Sequence, residues 1–377
     1  MSFNLIRNAR VFFTTNLSAT GVVNTTGFLA SNTREIQVLD GLSFSQETTS
    51  ETITLNEAGA TPARGQRQFN TALNPVDFSM STYMRPIDQG ATVTCEESVL
   101  WNAMFGAIAI GTANAAWTNG SANNAATCVA TSSNVHQLQR FGLIITIDGT
   151  SFVIDDCVLN TATIDFGLDA IATVQWAGQG KALRQIATPT FATDTSWTGD
   201  LTGSFLAKIT AAAFIANKLS TVTIDSGITV GSGTNYTLAL TGGSLTISNN
   251  ITYLTPALLG IVNEPATYFT GTRGVTGTLN CYLRTGSSNS AGLLSTLLAN
   301  KATDIDPEYS IRIAVGGAGA DRVEFEMPGV VLAIPSVNTE QVVSTTINFT
   351  AQGTTGSAFD LTAANEINIK YYATNVA

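Results

Sequence analysis

GLSFSQETT at residues 41–49 returns as GSLTISNNIT at 243–252, setting Leu42, Phe44 and Ser45 against Leu245, Ile247 and Ser248. Three further phrases repeat in the same order. Asn56-Glu57 returns as Asn263-Glu264, and VDFSMSTYMR at 76–85 returns as VTGTLNCYLR at 275–284, matching Tyr83 and Arg85 to Tyr282 and Arg284. TATIDFGLDAIATVQWAGQG at 161–180 returns as SVNTEQVVSTTINFTAQG at 336–353, so that Trp176, Gln179 and Gly180 meet Phe349, Gln352 and Gly353. A period near half the chain implies two whole domains of one fold rather than a solenoid or propeller. The expected division is a first domain over 1–187, a linker over 188–209 and a second domain over 210–377. The copies differ in length mainly between Arg85 and Gln179, where GTANAAWTNGSANNAATCVATSSN at 111–134 reads as a surface loop inserted in the first copy.

Within each copy the pattern is mainly β. Apolar and polar residues alternate in EIQVLDGLSF at 35–44, VDFSMSTYM at 76–84, LIITIDGTSFVI at 143–154, KLSTVTI at 218–224, VEFEM at 323–327 and INIKYY at 367–372. One helix per copy is expected, SVLWNAMFGAIA at 98–109 and AGLLSTLLANKA at 291–302, the second with Ser287, Ser288 and Ser290 as candidate caps.

Of the 377 residues 44% are hydrophobic and 12% charged, about half the roughly 25% charged content usual for soluble domains. Thr, Ser and Asn supply the polarity instead. β-branched Thr packs on a pleated surface without a counter-ion, which suits strands whose outer faces meet other protein and hints at assembly. The net charge of −10 and pI near 4.5 argue against a protein that wraps nucleic acid, which needs clustered Lys and Arg. Cys95, Cys128, Cys157 and Cys281 have no CxxC spacing and read as buried reduced thiols. No basic-then-apolar leader opens the chain, and its longest apolar run, at 99–111, is too short for a membrane span.

Chemistry is sparse. His136 is the only histidine and reads as a surface or packing residue. VGGAGAD at 315–321 lacks the Lys-Ser/Thr of a phosphate loop and reads as a hairpin turn. Asp304, Asp306 and Glu308 lack the Gly and terminal Glu of a calcium loop and read as a solvated acidic turn. The adjacent pairs Glu96-Glu97 and Asp155-Asp156 would point apart on a strand, so neither makes an acid/base couple. No catalytic, cofactor or metal residues are assigned.

The repeated phrases, with the closing VQWAGQG, INFTAQG and NEINIKYYA, resemble the tail tube proteins of tailed bacteriophages. The resemblance implies two tandem antiparallel β-sandwich or barrel domains, each with a flanking helix. It further implies a structural virion protein, assembled in the host bacterial cytoplasm, whose sheets join between subunits around a hollow conduit for DNA. Single-domain members form hexameric rings, and this duplicated chain is similar to the rarer kind that builds trimeric, pseudo-hexameric rings. The implied partners are further copies of the chain and other tail proteins such as sheath, tape measure, terminator and baseplate hub. Genomic DNA would pass an acidic lumen without specific binding, since like charges repel; no cofactor and no membrane are implied. A tube protein of a bacterial contractile secretion or injection system, or a secreted β-rich surface or adhesin protein, is the alternative.

The connections 47–75 and 249–274 are too long for tight hairpins and carry Glu57, Arg64 and Arg67 in one, Glu264 and Arg273 in the other. With the resemblance, they read as loops that stack ring on ring.

Overall fold

The computed structural model describes residues 9–373 apart from 30–31, 54–66, 89–92, 107–116, 121–124, 130–135, 190–213, 229–232, 301–308, 317–320, 340–341, 357, 361–362 and 364. In the first half the principal strands are β1 (Ala9–Thr14), β2 (Thr33–Ile36), β3 (Ser43–Ile53), β4 (Arg67–Tyr83), β5 (Phe141–Ile147), β6 (Thr150–Asp165), β7 (Thr173–Gly180) and β8 (Ala182–Ile186), with helix α1 (Ser98–Phe105) after β4. The second half supplies β9 (Thr221–Ser226), β10 (Asn235–Leu238), β11 (Leu240–Ser248), β12 (Gly274–Tyr282), β13 (Tyr309–Val315), β14 (Arg322–Leu332), β15 (Ser344–Gln352) and β16 (Asn368–Tyr372). Helix α2 (Ser290–Asn300) follows β12.

Both halves pair their strands in one order, all antiparallel. The ladders β2-β1-β5-β6-β8 and β3-β4-β7-β6 build two sheets. The ladders β10-β9-β13-β14-β16 and β11-β12-β15-β14 repeat them. No series of these ladders returns to its start, so each half is a sandwich and not a closed barrel.

The hinge of each sandwich is one long strand shared by both sheets. In β6, residues 151–155 pair with β8 and residues 158–164 with β7. Asp156, at a φ of 54°, and register shifts between Ile154 and Cys157 and between Leu159 and Thr161 turn the chain between them. In β14 the equivalent shift falls at Pro328, between Met327 and Val330, where a residue without an N–H is tolerated. Ion pairs repeat too: Asp155 binds Arg184 across β6 and β8, and Glu326 binds Lys370 at 2.6 Å across β14 and β16. In both, the cation lies two residues beyond the acid's cross-strand partner, Ala182 or Asn368. The ladders shift one phrase match by two residues. Tyr83 lies opposite Thr173 but Tyr282 opposite Ser344, so with Gln179 set on Gln352 the ladder equivalent of Tyr83 is Asn280. An even shift keeps each side chain on its face.

Apolar side chains of the alternating strands fill the space between sheets. Trp176 meets Trp101 of α1 edge-on with centroids 4.6 Å apart, and its indole N–H reaches Thr82 at 2.9 Å. Trp176 fits beside Met80 on β4, whereas Phe349 fits because Gly277 leaves room for its ring.

Several expected spans are corrected. The 35–44 alternation is not one strand: β2 ends at Ile36 and β3 begins at Ser43. Residues 217–219 form a 3-10 turn ahead of β9. Helix α1 stops at Phe105 because Gly106 takes a left-handed φ of 84°. Ser290 ties α2 to the preceding chain, accepting from the Arg284 amide and donating to the Tyr282 carbonyl, both at 2.8 Å. The 111–134 insertion contains a hairpin, Trp117–Gly120 with Ala125–Val129, whose second strand pairs with β16. Backbone pairing to an open sheet edge orders a sequence that has little to build a core from. The 315–321 glycines lie between β13 and β14, which pair as a hairpin. Asp304, Asp306 and Glu308 lie outside the described residues.

Candidate assembly surfaces

His136 and the adjacent acid pairs singled out in the sequence are occupied in holding the fold. His136 is exposed and its Nδ1 pairs with Thr270 at 2.8 Å. The adjacent acids do point apart. Glu96 takes a buried ion pair with Arg85 and accepts from the Gln37 amide at 3.0 Å, while Glu97 accepts from Tyr371. Asp155 turns to Arg184 and the Val23 amide, and Asp156 to Arg140 at 2.6 Å. Among the described residues, no group of His, Cys, Asp and Glu is arranged to hold a metal ion.

What the fold offers instead is a seam. Residues 161–165 of β6 pair antiparallel with 244–248 of β11, Thr161 opposite Ser248 and Ile164 opposite Leu245. The four-strand sheets of the two halves thereby become one sheet of eight, in the order β3-β4-β7-β6-β11-β12-β15-β14. Helix α1 closes over the seam. The Asn249 side chain donates to the Met104 carbonyl at 3.0 Å and to the Leu159 carbonyl at 3.1 Å, and all eight residues of α1 are buried.

One face of this sheet carries the core. On the other, β4 presents Asp77, Ser79 and Ser81; β7 Gln175, Ala177 and Gln179; β6 Thr161, Thr163 and Asp165; and β11 Ser244, Thr246 and Ser248. The face continues with Thr276, Thr278 and Asn280 on β12 and Thr346, Asn348 and Thr350 on β15. These residues include two carboxylates and no Lys or Arg. Side-chain hydrogen bonds run across the strands: Gln179 to Asp77 at 2.9 Å, Ser244 with Thr278 at 3.1 Å, and Thr163 with Thr246 at 3.4 Å over the seam itself. Hydroxyl and amide rows satisfy each other without a counter-ion.

The long connections are more ordered than their lengths suggest. Strand β3 runs on to Ile53 and β4 starts at Arg67, so the first forms a projecting two-stranded ribbon, exposed over most of residues 47–53 and 67–70. Part of the second is a hairpin, Ile251–Leu254 with Thr267–Thr270, that packs on the first half: Tyr253 donates to the Asp156 carbonyl and Tyr268 to that of Leu138 at 3.1 Å. Asn263 then joins the β4 ribbon, its carbonyl accepting from the Leu73 amide at 2.8 Å. Of the residues expected in stacking, Arg67 and Glu264 are exposed. Arg273 is inward, its side chain 6% exposed against Glu366 at 2.5 Å. Glu57 and Arg64 lie outside the described residues.

A duplicated sandwich whose halves share a sheet edge to edge, with one polar face that carries hydroxyls, amides and two carboxylates, has the features of a structural rather than a catalytic protein. A family model described as phage tail tube protein matches residues 79–351, well over half of the chain. Tail tube protein pb6 of Escherichia phage T5 is 32% identical over 362 residues, covering 93% of this chain and 73% of that relative. The chain belongs to the phage tail tube protein family. It is a structural component of the virion that assembles into the tail tube, and the secretion-tube and adhesin readings are not favoured. No described helix is long and apolar enough to cross a membrane.

Proposed function

We propose that three chains form each ring of the tube, every chain supplying two tube domains, 1–187 and 210–377 joined by 188–209, around a pseudo-sixfold axis. The observation that carries this reading is the seam between 161–165 and 244–248, because it sets the two halves side by side in one sheet. Copies stacked along the axis would have put their strands in different rings. At about 4.8 Å per strand, three chains of eight strands give a sheet circumference on the order of 115 Å and an untilted diameter of roughly 37 Å, where six would double both.

The hydroxyl and amide face of the sheet then lines the lumen. Its charges, Asp77 and Asp165, are both negative, so DNA passes a surface that offers phosphate no cation to bind. Uncharged hydroxyls and amides, more than carboxylates, make up this lining. Neighbouring rings stack through the β3–β4 ribbon and the 249–274 connection, and the outer wall meets other tail components. A cryo-EM cross-section of purified tubes tests the reading: threefold density with six similar domains per ring is expected, and six chains per ring would overturn it.

A further inference from the structure

We infer that the ring closes by pairing Val331–Ile334 of one chain with Leu42–Ser45 of the next, in the register already used at the seam inside the chain. This rests on the ring proposed above and names its lateral contact. The equivalences come from the ladders. Ala162 lies opposite Trp176 as Leu332 lies opposite Phe349, and Ile247 lies opposite Val275 as Phe44 lies opposite Phe78. At the seam Ala162 faces Ile247 and Thr161 faces Ser248, so Leu332 faces Phe44 of the next chain and Val331 faces Ser45; carried past the end of β14, the same register sets Ala333 toward Ser43 and Ile334 toward Leu42.

Three observations support this assignment. Both edges are open: among the described residues β3 pairs only with β4, and Val331–Leu332 pair only with β15. An unpaired edge of this kind is a template for another strand. Burial is asymmetric where the contact should be. Ile164 and Leu245, which meet at the seam, are 0% exposed, whereas Ile334 is 54% exposed and Leu42 half-buried. The faces also agree, since Val331 and Ser45 lie on the polar side as Thr161 and Ser248 do, and Leu332 and Phe44 lie on the core side. Helix α2 fits the same scheme. Helix α1, packed on β6 and Trp176, is also reached by Asn249 and Tyr371 of the second half and is buried throughout, but α2 leaves Leu298 43% exposed where the next chain's first half would cover it.

Directly opposed residues on antiparallel strands bring their Cα atoms within about 4.5–5.5 Å, inside the Cα range that a disulfide spans. The full chain carrying Ser45→Cys and Val331→Cys should therefore crosslink in assembled tubes on mild oxidation, giving bands on a non-reducing denaturing gel that end at the covalent trimer. The shifted pair Ser43→Cys with Val331→Cys should crosslink at least tenfold less, and the unsubstituted chain not at all. Shifted crosslinks, or none in tubes that microscopy shows to hold three chains per ring, would overturn the register and leave the ring reading intact. A ladder running on to six would keep the register and overturn the trimer. Independently, Ile334→Glu should leave the thermal unfolding of the subunit unchanged and cut the sedimentable tube fraction at least tenfold; an undiminished fraction would also overturn the contact.

Discussion

Tyr371, in the last strand, donates its hydroxyl to the carboxyl group of Glu97 at the head of the first helix, binding the end of the second half to the core of the first. The same hydroxyl accepts from the Trp101 indole at 2.9 Å. Glu97 is fully buried, and burial pushes its carboxyl up to about 8 although the Tyr371 bond opposes the shift. The folded state therefore holds a proton that the unfolded state releases near pH 4.5. Stability is highest below that pH as far as this group is concerned, and falls as pH rises towards about 8, at about 1.4 kcal/mol per pH unit. Glu97→Gln should remove that slope, which urea denaturation at a series of pH values measures.

Close packing at the second sheet turns on Gly277. A Cβ there would come within 2.4 Å of the Phe349 ring and of the Ser244 carbonyl oxygen. Gly277→Val should destabilise the fold by about 1–3 kcal/mol, the usual cost of overpacking, read as a lowered midpoint in thermal unfolding.

Arginines in the two long connections should separate into two kinds. Arg64→Glu with Arg67→Glu should leave a folded subunit that no longer polymerises, seen as normal circular dichroism with no tubes under the microscope. Arg273→Ala should instead lower stability itself, by about 3–5 kcal/mol, because it strands the largely buried Glu366 carboxylate. It also removes a cation lying 5.7 Å from the Phe105 ring. Equal effects of the two changes on thermal unfolding would contradict the distinction.

Cations placed on the polar face should turn a weakly negative wall into a sticky one. Thr163→Lys with Thr246→Lys should still permit tube formation but slow DNA ejection from virions, and added salt should relieve the delay by screening phosphate contacts. Ejection kinetics at two ionic strengths read both effects.

Local pattern was enough to show the duplication, the β class and the two helices, because side-chain alternation and phrase order are written into consecutive residues such as Val76 to Met84. The same phrases carried the family resemblance that the comparisons bear out. Glu96 and Glu97, expected to part as strand neighbours, lie instead in the turn before α1, where Arg85 and Tyr371 draw them to different partners. Local pattern did not reveal that Thr161–Asp165 meets Ser244–Ser248, because an edge strand reads the same whether its partner comes from the other half or from solvent. Nor did it reveal the pairing of Ala125–Val129 with β16, which backbone hydrogen bonds make with no side-chain signature. Arg273 looked like a surface cation, and only the arrival of Glu366 and Phe105 from distant segments turned it inward. Sequence alone thus determined most of the elements and the alternation of faces along strands such as β4; tertiary structure decided which edges meet, because strand partners are chosen by burial and register across distances that no local pattern spans.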